Sequence, residues 1–210
     1  MILRRVKTRI TGVLGKTAEH LPQLEMIRPV DQNASVPDFD VPPGFRLRTY
    51  QPEDESAFMT LLRMGDLGPC PMEYWLNHVL PRGFFVIQEE QSNIVTGACL
   101  AAHLPTPRHP FAGILGWLAV DPAYRGNGLG QTLSAAVTRR LIEAGYERIY
   151  LNTDDHRLPA IKTYLNLGWV PFLYQEDMAK RWEPVCRKLD WEYSPWEWPS
   201  SESVPGTSLE

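Results

Sequence analysis

Most of the chain alternates hydrophobic and polar positions with strand-like or helix-like periods. Apolar runs in FRLRTY, GFFVIQEE, NIVTGACLAAHL and GILGWLAV predict four strands. Apolar residues then recur every four positions over Leu129–Leu141, which predicts a helix that ends at Gly145. RIYLNTD and Trp169–Tyr174 predict two further strands, separated by a helix over Pro159–Leu167.

Two shorter helices are predicted between the first and second strands. Pro52 and the acidic residues after it suit the first turn of a helix, and Phe58 and Leu61 supply its apolar face. The second helix is predicted over Met72–Leu80. Strands followed by helix, strand, helix and strand indicate the α/β class, with a mixed sheet and helices packed on its faces.

The segments on either side of this pattern are predicted to be extensions. Residues 1–43 show little periodicity and end in the proline-rich VPDFDVPPGF, which predicts an N-terminal extension or linker. For its basic first part, an amphipathic helix at a membrane or partner is the alternative. Residues 175–210 predict a C-terminal extension with a short helix over Arg181–Leu189 and a partly disordered end. Its Trp191, Trp196 and Trp198 are expected to pack on the domain, with contact to a partner as the alternative.

Composition limits the class of protein. At 210 residues, 43% of them hydrophobic, the chain can form one domain with a sizeable core. Its longest weakly polar run, Ile94–Leu104, is shorter than the roughly 20 residues that span a bilayer, and its basic start lacks the apolar segment of a secretory signal. Cys70, Cys99 and Cys186 lack metal-ligand spacing, and their odd number fits a reducing cytoplasm. A net charge of −4 argues against nucleic acid as a partner, and no membrane is expected as one.

The segment VDPAYRGNGLGQTL places three glycines between a strand and an amphipathic helix. Gly126, Gly128 and Gly130 let the backbone approach a ligand closely and present several N–H groups in one direction. The N-terminus of the following helix carries roughly half a positive charge, and Arg125 adds a full one. The loop is therefore predicted to bind a phosphate or pyrophosphate, and a tight structural connection is the alternative.

Two other kinds of phosphate-binding loop fit this segment less well. A P-loop ends in Gly-Lys-Ser/Thr, whereas Gly130 is followed by Gln131 and Thr132. A dinucleotide-binding fold places its glycine loop after the first strand, whereas several predicted strands precede this loop.

Two motifs carry a resemblance to a known family. WLAVDPAYRGNGLGQTL resembles the strand and the Arg/Gln-x-x-Gly-x-Gly/Ala signature of the GNAT superfamily of acetyl-coenzyme A-dependent N-acetyltransferases. LNTDDHRLPAIKTYLNLGWVPF is similar to the strand and the Ala-x-x-x-Tyr-x-x-x-Gly-Phe pattern that follow, with Trp169 in place of Phe. The resemblance includes specific motifs over Gly113–Phe172. Over Phe45–Leu104 it is limited to the architecture, that is, the order of the predicted strands and helices. It implies a GNAT-like domain over residues 44–174, with a mostly antiparallel central sheet, helices on both faces and a splayed central strand pair.

The resemblance also implies roles for individual residues. Acetyl-coenzyme A would be bound as co-substrate, its pyrophosphate by loop amides and its pantetheine arm by the preceding strand. The residues implied in this binding are Leu118, Ala119, Val120, Arg125, Gly126, Asn127, Gly128, Leu129, Gly130 and Arg157. Arg157 stands where many relatives have an asparagine, and a solvated charge is its alternative. Tyr164 is implied as the acid that protonates the departing thiolate, and packing on the core is its alternative.

The general base is not indicated. The strand over residues 113–120 lacks the glutamate that several relatives carry there. Asp121, expected rather as a turn or capping residue, and His103 and Glu89 are the groups nearby, and a water relay or deprotonation of the amine in solution is the alternative. Asp154 and Asp155 are expected to form a cap, a turn or an acceptor contact, and no metal is expected.

The resemblance further implies that Phe58–Trp75, together with the last strands, selects the acceptor. Cys70 has no identifiable His partner, so a packed thiol is expected there, and a nucleophile is the alternative. It also implies a final strand after Tyr174, for which WEYSP is the candidate.

The predicted function is transfer of an acetyl group to an amine, on a small molecule or a peptide, by direct attack in a ternary complex. A catalytically silent sensor of acyl-coenzyme A and a protein-interaction domain that uses the tryptophan-rich tail are the alternatives. A homodimer and a longer acyl donor stay open.

Overall fold

A seven-stranded mixed sheet with helices on both faces forms the structure, a computed structural model that describes residues 21–29, 38 and 40–201. The strands are β1 (Leu24–Arg28), β2 (Phe45–Thr49), β3 (Val79–Glu89), β4 (Val95–His103), β5 (Gly113–Val120), β6 (Ile149–Thr153) and β7 (Val170–Phe172). The helices are α1 (Glu55–Met64), α2 (Met72–Leu76), α3 (Leu129–Glu143), α4 (Leu158–Asn166) and α5 (Met178–Leu189). Short 3-10 helices precede α1 and α3.

The strand order across the sheet is β2-β3-β4-β5-β6-β1-β7. β2 to β5 form an antiparallel meander, and α3 then crosses over so that β6 runs parallel to β5. The other pairs are antiparallel. The predicted mixed and mostly antiparallel sheet is confirmed.

Each face of the sheet has its own hydrophobic core. α3, α4 and α5 cover one face, and the apolar stripe predicted in α3 is buried there. The stripe consists of Leu129, Leu133, Val137 and Leu141, none of them more than 1% exposed. Burying one such side chain contributes about 1.5–3 kcal/mol, so this stripe fixes α3 and the loop before it against the sheet. α1 and α2 cover the opposite face through Phe58, Leu61, Leu62 and Met72.

β1 lies within residues 1–43, where the sequence predicts an extension or linker, and here the structure differs. All five residues of Leu24–Arg28 are buried. β1 pairs with β6 along its whole length and with β7 over three residues, so it occupies the inside of the sheet. The final strand expected from WEYSP is absent, because Trp191–Pro195 forms no strand. Instead, β1 from the N-terminal segment lies between β6 and β7 in the sheet.

The remaining elements differ from expectation in length. The second helix ends at Leu76, and Val79 and Leu80 already belong to β3. The short C-terminal helix is present as α5 and is longer than predicted. The predicted disordered end beyond residue 201 and the amphipathic alternative for the first residues lie outside the described residues.

Of the three tail tryptophans expected to pack on the domain, Trp198 does so, whereas Trp196 is 77% exposed and Trp191 is 37% exposed. Trp198 packs edge-on against Trp182 and Tyr193, with ring centroids 6.1 and 5.5 Å apart. The amide of Leu173 donates to the carbonyl of Pro199 at 2.9 Å, which fastens the tail beside β7. No helix within the described ranges is long and apolar enough to cross a membrane.

Candidate active site

β5 and β6 run side by side at one end only. Gly113 pairs with Ile149 and Ile114 with Tyr150, and the register of the two strands goes no further. Residues 115–120 of β5 and 151–153 of β6 therefore diverge. Asn152 is exposed although its strand lies inside the sheet, so the gap opens to solvent on the face that carries α1 and α2. This is the splayed central pair that the resemblance implies.

β5 carries a bulge where it leaves β6. Trp117 and Leu118 both stand opposite Cys99 of β4, so β5 has one residue more than its neighbour at this point. Trp117 has a φ of +55°, an uncommon conformation for a bulky side chain. The bulge begins the segment Leu118–Val120, which is predicted to pair with pantetheine. Such backbone strain is concentrated at functional sites.

The glycine loop follows β5 and leads directly into α3. Asp121 fixes its first turn by accepting a hydrogen bond from the amide of Ala123 at 2.8 Å. Gly126 and Gly128 have φ of +84° and +78°, in the left-handed region that glycine enters without a steric cost. Gly128 is the N-cap residue of α3 and provides no side chain to satisfy the amides of the first turn.

Five consecutive backbone amides, from Gly126 to Gly130, donate to no acceptor among the described residues. The first amides of α3 with a partner belong to Gln131 and Thr132, which both donate to the carbonyl of Gly128 at 3.0 Å. A Cβ atom added at Gly126 would meet nothing within 4 Å, so a ligand has room to approach. Free amides at the N-terminus of a 15-residue helix form an anion site that fits a phosphate group.

Two of the predicted cofactor-binding residues contribute differently from their neighbours. The amide of Arg125 donates weakly to the carbonyl of Pro122 at 3.4 Å, while its side chain is exposed. The side-chain amide of Asn127 donates to the carbonyl of Tyr124 at 3.0 Å and closes the loop. The loop therefore presents backbone donors with one exposed guanidinium beside them.

Tyr164 extends from α4 into the core beneath the divergent strands and is 5% exposed. Burial raises the pKa of its phenol above the ordinary value, the nearby Cys99 thiol adds to this, and Arg157 opposes it. The phenol therefore keeps its proton at neutral pH and can act as a donor. Cys99, which influences this pKa, lies on β4 opposite the bulge of β5.

Arg157 is the N-cap residue of α4, and its guanidinium donates three hydrogen bonds to protein acceptors. Its Nε donates to the carboxylate of Asp154 at 2.8 Å. Its two terminal nitrogens donate to the carbonyls of Gly65 at 3.0 Å and Asp66 at 2.6 Å, in the loop between α1 and α2. The coenzyme contact implied for Arg157 stays a prediction.

The three candidates for a general base have other contacts. Asp121 caps the turn described above. His103 lies opposite Gly113 at the closed end of the strand pair, and its ring is hydrogen-bonded to the hydroxyl of Tyr146 at 2.9 Å. Glu89 lies on β3, two strands away from β5. These contacts place none of the three side chains beside Tyr164.

The acidic pair after β6 forms ion pairs. Asp154 pairs with Arg157, and Asp155 pairs with Arg181 of α5. Across residues 21–29, 38 and 40–201, no group of three or more His, Cys, Asp or Glu side chains could hold a metal ion. Cys70 is buried against the sulfur of Met72, and burial raises the pKa of its thiol to about 11.

A buried charged network beside β6 was not anticipated from the sequence. Glu25 of β1 accepts hydrogen bonds from Nε2 of His109 at 2.8 Å and from Nε of Arg108 at 3.1 Å. Arg148 donates to Nδ1 of His109 at 3.0 Å, which fixes the neutral tautomer that donates to Glu25. Burial raises the pKa of Glu25, but the hydrogen bonds from His109 and Arg108 outweigh it and lower the pKa overall. The pKa of His109 is lowered, chiefly by burial.

Two indole rings line the face of β5 that carries α1 and α2. Trp75 and Trp117 meet edge to face with ring centroids 5.8 Å apart. The ring of Trp75 lies close over Gly116, since an added Cβ there would be 3.6 Å from it. The indole N–H of Trp117 is buried and has no partner in the described part of the chain. An aromatic wall therefore stands beside the middle of β5.

A sheet that opens beside a helix-terminal anion site defines the class of protein. The sequence model of the acetyltransferase (GNAT) family matches residues 49–169, more than half of the chain. The chain belongs to this family.

Curated relatives are named mycothiol acetyltransferases. The protein from Sanguibacter keddieii is 29% identical in an alignment of length 175 that covers 74% of this chain and 54% of the relative. The protein from Frankia casuarinae is 26% identical in an alignment of length 185 that covers 76% of this chain and 51% of the relative. The chain thus spans about half the length of these relatives.

Solved structures show the same fold at low identity. A GCN5-related N-acetyltransferase from Sphaerobacter thermophilus matches with a TM-score of 0.53 and 22% identity, over 71% of this chain and 49% of that chain. A chain of the NatC complex bound to Gag peptide and CoA matches with a TM-score of 0.53 and 22% identity, over 60% of this chain and 84% of that chain.

Proposed function

We propose that this chain transfers an acetyl group from acetyl-coenzyme A to an amine by direct attack in a ternary complex. The observation that carries the proposal is the juxtaposition of two features at the end of β5. The five free amides of Gly126–Gly130 follow residues 115–120 of β5, which have no pairing with β6. A ligand with an anionic end and an extended arm matches both features at once.

The chain's residues fit the coenzyme by their chemistry. Loop amides and the α3 N-terminus would hold the pyrophosphate, and the unpaired edge of Leu118–Val120 would pair with the amide groups of pantetheine. The co-substrate supplies an activated thioester. Holding an amine against that carbonyl provides proximity, which accounts for a large part of the rate in such reactions.

In the proposed step, the amine nitrogen forms a bond to the carbonyl carbon and the carbon–sulfur bond breaks. Tyr164 donates its phenolic proton to the departing sulfur, and the proton lost from the amine goes to water. Burial raises the pKa of Tyr164, so the phenol carries this proton at neutral pH. Backbone amides near the bulge at Trp117 would support the negative charge that develops on the carbonyl oxygen.

The acceptor is an amine whose neighbouring part packs against aromatic rings. Trp75 and Trp117 form that wall, and Asn152 is the exposed polar group across the gap. Relatives are named for mycothiol, so amines related to mycothiol stand first in a screen, followed by other small primary amines and peptide N-termini.

Calorimetric titration with acetyl-coenzyme A tests the proposal. We expect saturable binding by the wild type and an affinity at least tenfold lower in Gly128→Asp, because a carboxylate in the loop repels the pyrophosphate. Gly145→Asp is the matched control. It adds the same charge at a glycine with φ of +83°, beyond the other end of α3, and should bind within threefold of the wild type.

Two outcomes would contradict the proposal. A folded wild type that binds no acetyl-coenzyme A would make the loop a structural turn. Equal losses in Gly128→Asp and Gly145→Asp would show that charge or backbone strain, and not the loop, decides binding. If binding is as expected, the amine screen follows, with free coenzyme A measured as the product.

A further inference from the structure

The two walls of the divergent strand pair are connected by one side chain at the open end. α1 packs against β4 and β5, and the loop that follows it begins with Gly65 and Asp66. Arg157 follows β6, on the other side of the gap. Its guanidinium reaches both loop carbonyls while its Nε holds Asp154. Two hydrogen bonds, of 3.0 and 2.6 Å, thus bridge the opening, and the bond to Asp154 fixes the guanidinium on the β6 side.

The loop that Arg157 contacts contains a residue in a strained backbone conformation. Asp66 has a φ of +51°, which costs free energy in a residue other than glycine. Its side chain is exposed, so packing does not fix this conformation. The loop's own backbone hydrogen bonds are local. The amide of Gly65 donates to the carbonyl of Leu61 at 2.9 Å, and the amide of Leu67 donates to the carbonyl of Leu62 at 3.0 Å.

The guanidinium of Arg157 is well placed to hold this loop. The side chain of Arg157 is 19% exposed, so its hydrogen bonds are partly shielded from water. Its planar group presents donors in a fixed arrangement, which suits two adjacent carbonyls and a carboxylate at once. Lysine offers one ammonium and cannot meet all three acceptors in this geometry.

We infer that Arg157 is a positioning residue that holds the loop between α1 and α2 across the acceptor side of the cleft, and that it is not a coenzyme ligand. The inference rests on the proposed function for the identity of the cleft. It assigns to Arg157 a role different from the coenzyme contact implied by the resemblance. The loop leads into α2, which carries Trp75, so its order also determines where the aromatic wall stands.

Arg157→Met removes the donors and keeps much of the aliphatic stem. Arg181→Met is the matched control, because Arg181 also bridges an aspartate and a carbonyl in the same region, Asp155 and Pro22, without touching the loop. Amide hydrogen exchange over residues 65–71 is measured in both variants, with a peptide from β4 as the internal reference. Acetyl-coenzyme A affinity is measured by calorimetry.

We expect exchange over residues 65–71 to become at least tenfold faster in Arg157→Met, with β4 unchanged and with Arg181→Met like the wild type. Acetyl-coenzyme A affinity should stay within threefold of the wild type in both. For the amine with the highest turnover in the screen, KM should rise at least fivefold in Arg157→Met while KM for acetyl-coenzyme A does not. Arg157→Lys should restore part of the loop protection.

A tenfold or greater fall in acetyl-coenzyme A affinity in Arg157→Met would assign the side chain to the coenzyme and overturn the inference. Unchanged exchange over residues 65–71 would overturn it as well. If Arg157→Met does not fold, the same two measurements are made on Arg157→Gln, which also removes the guanidinium. Failure of the proposed function is recognised separately, because the wild type then binds no acetyl-coenzyme A while the exchange experiment still tests the loop.

Discussion

Glu25→Gln should destabilise the protein although it changes one oxygen to one nitrogen. The Glu25 side chain is 4% exposed and lies between His109, which is fully buried, and Arg108, which is 47% exposed. Glutamine keeps one acceptor oxygen, so its NH2 group must face the donor of His109 or of Arg108. The variant therefore loses the ion pair and places two donors against each other.

The size of the effect follows from the burial of the partners. Removing one member of a fully buried ion pair costs about 3–5 kcal/mol. Arg108 can be hydrated through its exposed part, which reduces the loss, so we expect about 2–3 kcal/mol. For a protein of this size that corresponds to a fall in Tm of about 4–12 °C.

Urea denaturation followed by circular dichroism measures the free energy of unfolding. Glu183→Gln is the control, since Glu183 forms an exposed pair with Arg187 one helical turn away and should change the free energy by no more than about 0.5 kcal/mol. A loss below about 0.5 kcal/mol in Glu25→Gln would refute the reasoning, because it would mean that the network contributes nothing to the position of β1.

Two further predictions concern protons. Tyr164→Phe should lower kcat by about 10²–10⁴-fold while acetyl-coenzyme A affinity stays within threefold; unchanged kcat would exclude the acid role and favour a sensor or an unassisted thiolate. The lowered pKa of His109 means that, as pH falls below about 6.5, the unfolded chain takes up a proton that the folded chain does not, so stability falls. His109→Gln should therefore flatten the dependence of the free energy of unfolding on pH between about 6.5 and 5, and an unchanged slope would show that other groups cause it.

The part of the fold that begins at residue 45 could be predicted because its signals are local. The four-residue interval of Leu129 to Leu141 is a property of one helix, and the sheet buries that stripe as expected. β1 carries no comparable signal. Its two faces are both buried, and Glu25 and Arg28 interrupt its apolar residues, so LEMIR does not alternate as a half-exposed strand does. Its place between β6 and β7 depends on long-range pairing that no short window contains.

The candidate site also has a part that the sequence could predict and a part that it could not. The glycine loop is a continuous segment, so its free amides and its position before α3 follow from the letters alone. The contacts of Arg157 with Gly65 and Asp66 join residues about 90 positions apart, and periodicity cannot show which way that side chain points. The aromatic wall has the same origin, because Trp75 reaches β5 only through the packing of α2 over Gly116.

The divergence of β5 and β6 depends on contacts outside both strands. β6 shares two register pairs with β5 and five with β1, so β1 does more than β5 to fix where β6 lies. Glu25 of β1 is bonded to Arg108 and His109 in the loop that leads into the closed end of β5, while Arg157 bridges the open end. Charged hydrogen bonds thus hold β1 and the segment after β6 to neighbouring loops. Because Glu25→Gln and Arg157→Met remove hydrogen bonds that share no partner, their effects on the free energy of unfolding should add within about 0.5 kcal/mol. A larger deviation in the double variant would show that the two sets of hydrogen bonds are coupled.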